Sequence, residues 1–212
     1  TLDKEGRLTK VFGGAIALHP AQIVNKELSM VQKQELQTTE KQAIARYAAS
    51  LIEPDDCVYL DAGTTTGWMI EYIRQEKATY ITNALSHAKR LADKGFNVIL
   101  IGGEPKSSTD AIVGGEAVLN LQKYHFSKGF FGVNGIDRLS GFTTPDVKEA
   151  VVKQAAVKNT QPAHRYFLTT SSKFGEVYAV TFAGFEGGTI LTEDNVSEVL
   201  PKSIEIINVT QQ

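Results

Sequence analysis

A chain of 212 residues, 42% of them hydrophobic and 22% charged, has ordinary globular composition and can bury a core without disulfides or metals. The formal net charge of −2, with Lys and Arg scattered among Asp and Glu, excludes the concentrated basic face that proteins use to hold nucleic-acid phosphates. The single cysteine, Cys57, cannot close an internal disulfide, and no apolar run suits a membrane span or a signal peptide, so a cytoplasmic setting is expected.

In chain order, residues 1–15 are charged and glycine-bearing and read as the tail of an upstream element followed by a strand or linker. Residues 20–37 lack periodicity and read as a connecting arm. Thr39 and Gln42 have capping-box spacing, which predicts a helix start; Ile44, Tyr47, Ala48 and Leu51 then share one face, and Pro54 ends the run. Cys57–Asp61 is a short β run with a structural thiol at its start. The loop Ala62–Thr66 follows, then a helix in which Trp68, Met69, Tyr72 and Ile73 form a core-facing stripe. Thr79–Thr82 is a strand, residues 84–94 a helix closed by Gly95, and Asn97–Ile101 a strand running into Gly102 and Gly103. Glu116–Gln122 is helical, Gly129–Val133 a buried strand, and Val147–Lys158 a helix with apolar positions at Ala150, Val151 and Val157. Strands at Tyr166–Thr169, Thr189–Thr192 and Ile204–Val209 complete the alternation.

Strands alternating with helices predict an α/β fold: a Rossmann-like, mostly parallel sheet flanked by helices. In such sheets ligands bind beyond the carboxyl ends of the strands. Small, hydroxyl-bearing or glycine residues stand at nearly every strand exit: Asp61 to Thr66, Thr82 with Asn83, Gly102 with Gly103, Asn134 to Asp137, and Ser171 to Gly175. Gly63, Thr64, Thr65 and Thr66 are the best candidate for an anion cradle, because a helix start offers free N–H groups and a favourable dipole. The plain alternative is that Thr64 or Thr65 only caps the helix. Lys173, Lys153 and Lys148 can supply the positive charge a phosphate needs; Lys173, which follows a strand and precedes a turn, is the more suggestive, since a solvated helix face is the usual fate of lysines like Lys148 and Lys153. Glu149 and Asp137 can accept hydrogen bonds from hydroxyls or act as acid and base. The four histidines, His19, His87, His125 and His164, show no metal-ligand spacing, and no metal or other cofactor is expected.

The segments Gly13–Ala15, Lys41–Ala45, Asp61–Thr65, Ile81–Asn83, Gly102–Gly103, Gly141–Thr144, Glu149–Ala150 and Ser172–Gly175, in this order and spacing, resemble the effector-binding domain of DeoR-type bacterial transcription regulators. The resemblance covers essentially the whole chain. It implies that residues 1–18 are the remnant of a helix-turn-helix wing and linker, with the recognition helix absent, and that residues 19–212 are a sensor domain similar in fold to ribose 5-phosphate isomerase. It further implies that Gly63, Thr64, Thr65 and Thr66 hold a phosphate and that Asp61, Thr82, Asn83, Gly102 and Gly103 line the same edge. Glu149 and Lys173 would face the sugar, with Asn134, Asp137 and Thr143 as further ligand-binding candidates. The segment Lys10–Phe12 is similar to fructose-operon repressors, which makes fructose 1-phosphate the first effector to consider.

Three readings follow. In the first, a phosphorylated sugar shifts the populations of a homodimer or homotetramer that binds operator DNA through a domain missing from this sequence. In the second, the chain is a sugar-phosphate isomerase with Glu149 as the candidate base; the related enzymes carry an acid where Asn134 stands and a lysine where Gly141–Thr144 stands, and losing both removes most transition-state stabilisation while leaving binding intact. The third is an oligomerisation module with a degenerate pocket, which the polar strand exits argue against.

Overall fold

The structure is a computed structural model describing residues 8–11, 14–17, 22–24, 30–196 and 200–212. Its elements begin with β1 (Leu8–Val11), β2 (Gly14–Ala17), β3 (Gln22–Ile23), α1 (Met30–Glu35), α2 (Thr38–Ser50), β4 (Cys57–Leu60) and α3 (Thr64–Tyr72). Next come β5 (Thr79–Thr82), α4 (Leu85–Asp93), β6 (Asn97–Leu100), β7 (Glu104–Lys106), β8 (Ala111–Val113) and α5 (Gly115–Leu121). Then follow β9 (Lys128–Gly132), β10 (Gly135–Asp137), β11 (Gly141–Thr144), α6 (Val147–Lys158) and β12 (Arg165–Leu168). The chain closes with β13 (Glu176–Val177), β14 (Val180–Ala183), β15 (Thr189–Thr192) and β16 (Glu205–Asn208).

Seven strands pair in the order β16-β15-β12-β9-β4-β5-β6, and every ladder among them is parallel. Parallel strands are buried on both faces, so they read as continuous apolar runs rather than half-polar ones. The strand period of two then sorts the side chains. Tyr59, Phe131, Phe167 and Ile190 face one layer with α5 and α6. Val58, Leu60, Phe130, Leu168 and Leu191 face the other, with α2, α3 and α4. The strands therefore follow a doubly wound order in which the chain leaves the central pair β4–β9 in opposite directions.

Two features lie outside the periodicity read from sequence. A three-stranded antiparallel sheet, β10-β11-β14, covers the α6 side; Phe142 and Phe182 pack from it onto Phe167 and the main core, and Phe185, just beyond β14, packs on Phe142. The hairpin β7–β8 projects from the end of β6. The arm at 20–37 is not featureless: it holds β3, paired with β13, and the short helix α1. The hairpin β1–β2 occupies part of the segment read as a wing; Gly6, Arg7, Phe12 and Gly13 lie outside the described residues.

Helix starts also differ from expectation. Thr39 and Gln42 do not form a capping box, because α2 begins at Thr38 after Gln37 in the left-handed region with no side-chain cap. The working cap is at α6, where the Asp146 carboxylate accepts from the N–H of Glu149. Val151 is exposed on α6 and its neighbour Val152 is the buried position. Gly95 closes α4 at φ 83°, as the sequence predicted.

Candidate functional site

A parallel sheet whose order reverses leaves a crevice where the diverging loops part. Here the loops are Asp61–Gly63 after β4 and Val133–Asn134 after β9, and between them opens a cavity of about 60 Å³. Its floor is the start of α3. Gly63 occupies the N-cap position with extended backbone, so any residue could adopt its φ; space is what the glycine supplies. A Cβ there would lie 3.2 Å from Thr66 Oγ1 and 3.9 Å from Gly132 Cα. The first-turn N–H groups of α3 have no partner within the helix. Thr66 is buried and its hydroxyl donates to the carbonyls of Asp61 and Gly63 at 2.7 and 3.0 Å, bracing the loop. Thr64 and Thr65 line the cavity, and their hydroxyls form no hydrogen bond among the described residues.

The wall is charged. Asp61 is 1% exposed and pairs with the ammonium of Lys153, itself 4% exposed. The same carboxylate oxygen accepts from Gly132 N–H at 3.0 Å, while Lys153 also donates to Gly132 O at 3.1 Å. Burial pushes the Asp61 carboxyl above the ordinary carboxylate range, with Lys153 pulling the other way. Asp61 Oδ1 is buried with no hydrogen-bond partner among the described residues. The expectation that Lys153 sits on a solvated helix face is therefore overturned. Lys153 and Glu149 are four residues apart on α6, and that spacing turns both toward the cavity.

Opposite the helix start, Glu149 is met by the hairpin. Its Oε1 accepts from Thr109 Oγ1 at 2.6 Å and from Lys106 Nζ at 2.9 Å, and Lys106 also reaches Asp146. Thr109 lines the cavity, as does Lys33 from α1. On the far side of Gly63 and Thr64 a wider groove of about 460 Å³ runs past Gln34, Trp68, His87 and Arg90. Trp68 is thus half-buried at a groove rather than wholly in the core stripe. Burial holds the imidazole of His87 neutral, with its pKa down at about 4, and the Arg90 charge acts in the same direction.

Of the residues singled out from sequence, Gly63, Thr64, Thr65, Asn134 and Glu149 come together around the cavity, with Asp61 and Thr66 directly behind them. The others sit elsewhere. Thr82 is wholly buried and accepts from Ala84 N–H. Asn83 ties Tyr59, Ala62 and Ile112 together. Gly102 lies against Asn120, and Gly103, at φ 147°, against β8. Asp137 closes the β10–β11 turn by accepting from Leu139 and Ser140 N–H, which accounts for its carboxylate without acid–base work. Thr143 is fully buried and bridges Gly135 O and Tyr178 N–H. Lys173 pairs with Glu176 at 3.2 Å, away from the cavity walls. Lys33, Thr109, Gly132 and Val133 also line the cavity and were not singled out from sequence as site residues, while Lys153 was weighed as a positive charge but given a solvated helix face. Only Lys153 carried a usable signal, its spacing from Glu149. Among the described residues no three His, Cys, Asp or Glu side chains converge as metal ligands, and no helix is long and apolar enough to cross a membrane. Cys57 is half-buried, and burial raises its thiol pKa, as suits an unreactive position.

A doubly wound parallel sheet with a polar cavity at its point of reversal defines an α/β domain of the Rossmann-like class. Residues 36–195 match the family model of the DeoR C terminal sensor domain, and the chain belongs to that family. It is similar to the uncharacterized HTH-type transcriptional regulator FruR of Bacillus subtilis (strain 168), at 42% identity over 92% of this chain and 76% of that one. It is also similar to the lactose phosphotransferase system repressor of Staphylococcus aureus (strain N315), at 35% identity over 96% and 80% of the two chains. The HTH-type transcriptional regulator IolR of Bacillus subtilis (strain 168) is 32% identical over 87% and 72%. These relatives are transcription regulators by name. Among solved structures, ribose 5-phosphate isomerase A from Neisseria gonorrhoeae aligns with a TM-score of 0.47 and 12% identity over 68% of this chain. The enzyme from Methanocaldococcus jannaschii aligns with a TM-score of 0.45 and 12% identity. This chain spans about half the length of those structures, 55% and 53%.

Proposed function

We propose that this chain is the effector-sensing domain of a transcription repressor of sugar metabolism, and that a phosphorylated sugar binds at the cavity between β4 and β9. One observation carries the reading: unpaired first-turn N–H groups and the unengaged hydroxyls of Thr64 and Thr65 face a space bordered by Lys33 and Lys153. Backbone donors, a helix dipole and two ammonium groups suit a phosphate dianion. Glu149 and Asn134, on the opposite wall, suit the hydroxyls of a sugar. Fructose 1-phosphate is the first candidate, on the resemblance of Lys10–Phe12 to fructose-operon repressors. The ligand would act by favouring one arrangement of a homodimer or homotetramer, and so the hold of a helix-turn-helix domain, the type named in the relatives, on operator DNA. Thr82, Asn83, Gly102, Gly103 and Thr143 then serve the site by fixing the loops around it, while Lys173, paired with Glu176, has no direct part in it.

A thermal-shift screen against phosphorylated sugars and their free sugars tests this. Ligand at 100 times its dissociation constant stabilises the fold by about 2.7 kcal/mol. Stabilisation by one phosphate ester and not by its parent sugar is the expected result. Equal stabilisation by the free sugar would remove the phosphate from the scheme.

A further inference from the structure

Small-molecule sites usually enclose about 300–1,000 Å³, yet the cavity between β4 and β9 holds about 60 Å³. That volume is close to a phosphate group's, so a sugar attached to it must extend beyond the cavity. The wider groove, about 460 Å³, lies just across Gly63 and Thr64. Helix α1 stands between the two spaces: Lys33 lines the small cavity and Gln34 lines the groove.

The fastening of α1 differs from that of the other roof element. The β7–β8 hairpin is bound on several sides, through Lys106 and Thr109 to α6 and through Asp110 to Ser86 N–H at 2.7 Å. By contrast α1 has six residues, too few to hold a helix by their own backbone bonds, and it rests on α3. Its C-terminal end is tethered from α2, where the buried ammonium of Lys41 donates to the carbonyls of Lys33 and Leu36. Thr38 Oγ1 adds a bond to Gln34 O at 3.1 Å. Burial, with the nearby charges of Lys173 and Lys33, brings the Lys41 pKa down to about 8 against the opposing pull of Glu40.

We infer that Lys33 contacts the ligand's anionic group and that α1 is a strap which the sugar moiety displaces from its Lys41 tether, joining the two spaces into one site. This rests on the phosphorylated-sugar reading of the cavity. The strap lies in the chain between the β1–β3 segment and the sensor core, so its displacement carries occupancy of the site toward the N-terminal side.

Linkage gives the test a sign. If binding requires release of the tether, removing the tether strengthens binding. Lys33→Ala should weaken fructose 1-phosphate binding roughly tenfold to a hundredfold, the effect of a lost charge-assisted hydrogen bond. Lys41→Met should tighten it, with folding verified by circular dichroism; a tether that merely supports the site predicts weakening instead. In the unaltered chain, hydrogen exchange should quicken across residues 31–36 on addition of fructose 1-phosphate while slowing across residues 63–66. Unchanged or slower exchange at 31–36, with affinity unaffected by Lys33→Ala, overturns the strap although the cavity still binds. If no phosphorylated sugar slows exchange at 63–66, the cavity reading falls and the strap falls with it.

Discussion

Replacing Lys153 by Met isolates the charge pairing at the heart of the site. Met retains most of the aliphatic stem and its contact with the Phe182 ring, over which the ammonium sits at 5.4 Å from the centroid. What disappears is the counter-charge to Asp61, a carboxylate only 1% exposed. Breaking a buried pair from one side typically costs about 3–5 kcal/mol, because the remaining charge is left uncompensated. Asp61 keeps its bond from Gly132 N–H at 3.0 Å, which places the expected loss near 3 kcal/mol on that scale. The sign with pH follows. Burial already raises the folded carboxyl, and without Lys153 it rises further above its unfolded value. A group with a raised folded pKa contributes stability below its unfolded pKa and loses it as pH climbs through the folded one. The deficit of the variant should therefore be small near pH 4 and complete at neutral pH. Urea denaturation at pH 4.5 and pH 7.5, followed by the fluorescence of the single tryptophan, Trp68, measures both limits. The double variant Asp61→Asn with Lys153→Met should recover more than about 1 kcal/mol of the loss, since coupled neighbours are non-additive. A deficit below about 1 kcal/mol at pH 7.5, or one of equal size at both pH values, would refute the uncompensated-charge reasoning.

The remaining predictions concern local features. Thr65→Ala should weaken sugar-phosphate binding by about 1–3 kcal/mol, read by calorimetry, if its hydroxyl donates to the phosphate; unchanged affinity reduces Thr65 to a helix-start residue. Lys153→Ala should impair binding more than Lys148→Ala, because Lys148 is exposed and paired with Glu104 at 3.1 Å; the reverse order would misplace the site. Gly103→Ala should destabilise by about 1–3 kcal/mol, since φ is 147° and the new Cβ would lie 2.7 Å from Val113 O. A melting temperature equal to that of the parent chain would contradict it. The His87 ring protons should titrate near pH 4, not 6.5, by NMR. Because that folded pKa is depressed below the unfolded value, stability present above pH 6.5 should fall as the pH drops toward 4, and a midpoint near 6.5 would mean the ring is solvated.

The main sheet was legible because its strands are short apolar runs separated by helical periodicity. The bounds of β5 and α6 coincide with those read from the chain. The polar residues at strand exits likewise pointed to the sheet edge where the cavity opens. What stayed hidden depends on contacts far apart in sequence. Nothing near Thr109 announces that a hairpin will bring it onto Glu149, forty residues away. The antiparallel strands β10, β11 and β14 are three or four residues long, too short for alternation to register. Lys153 looked solvated because its partner, Asp61, belongs to another element 92 residues away. Thr82, Asn83 and Thr143 were read as ligand-facing from their place at strand ends. The structure gives their polar atoms backbone and side-chain partners within the scaffold, a role that position alone does not distinguish from binding.

Isothermal titration of the chain with fructose 1-phosphate, alongside free fructose and inorganic phosphate, tests most directly whether the cavity between β4 and β9 senses a phosphorylated sugar. Saturable binding of the ester, far tighter than that of either fragment and weakened by Thr65→Ala, is the predicted result. Binding of fructose as tight as that of its phosphate, or ester binding indifferent to every substitution around Gly63–Thr65, would contradict it.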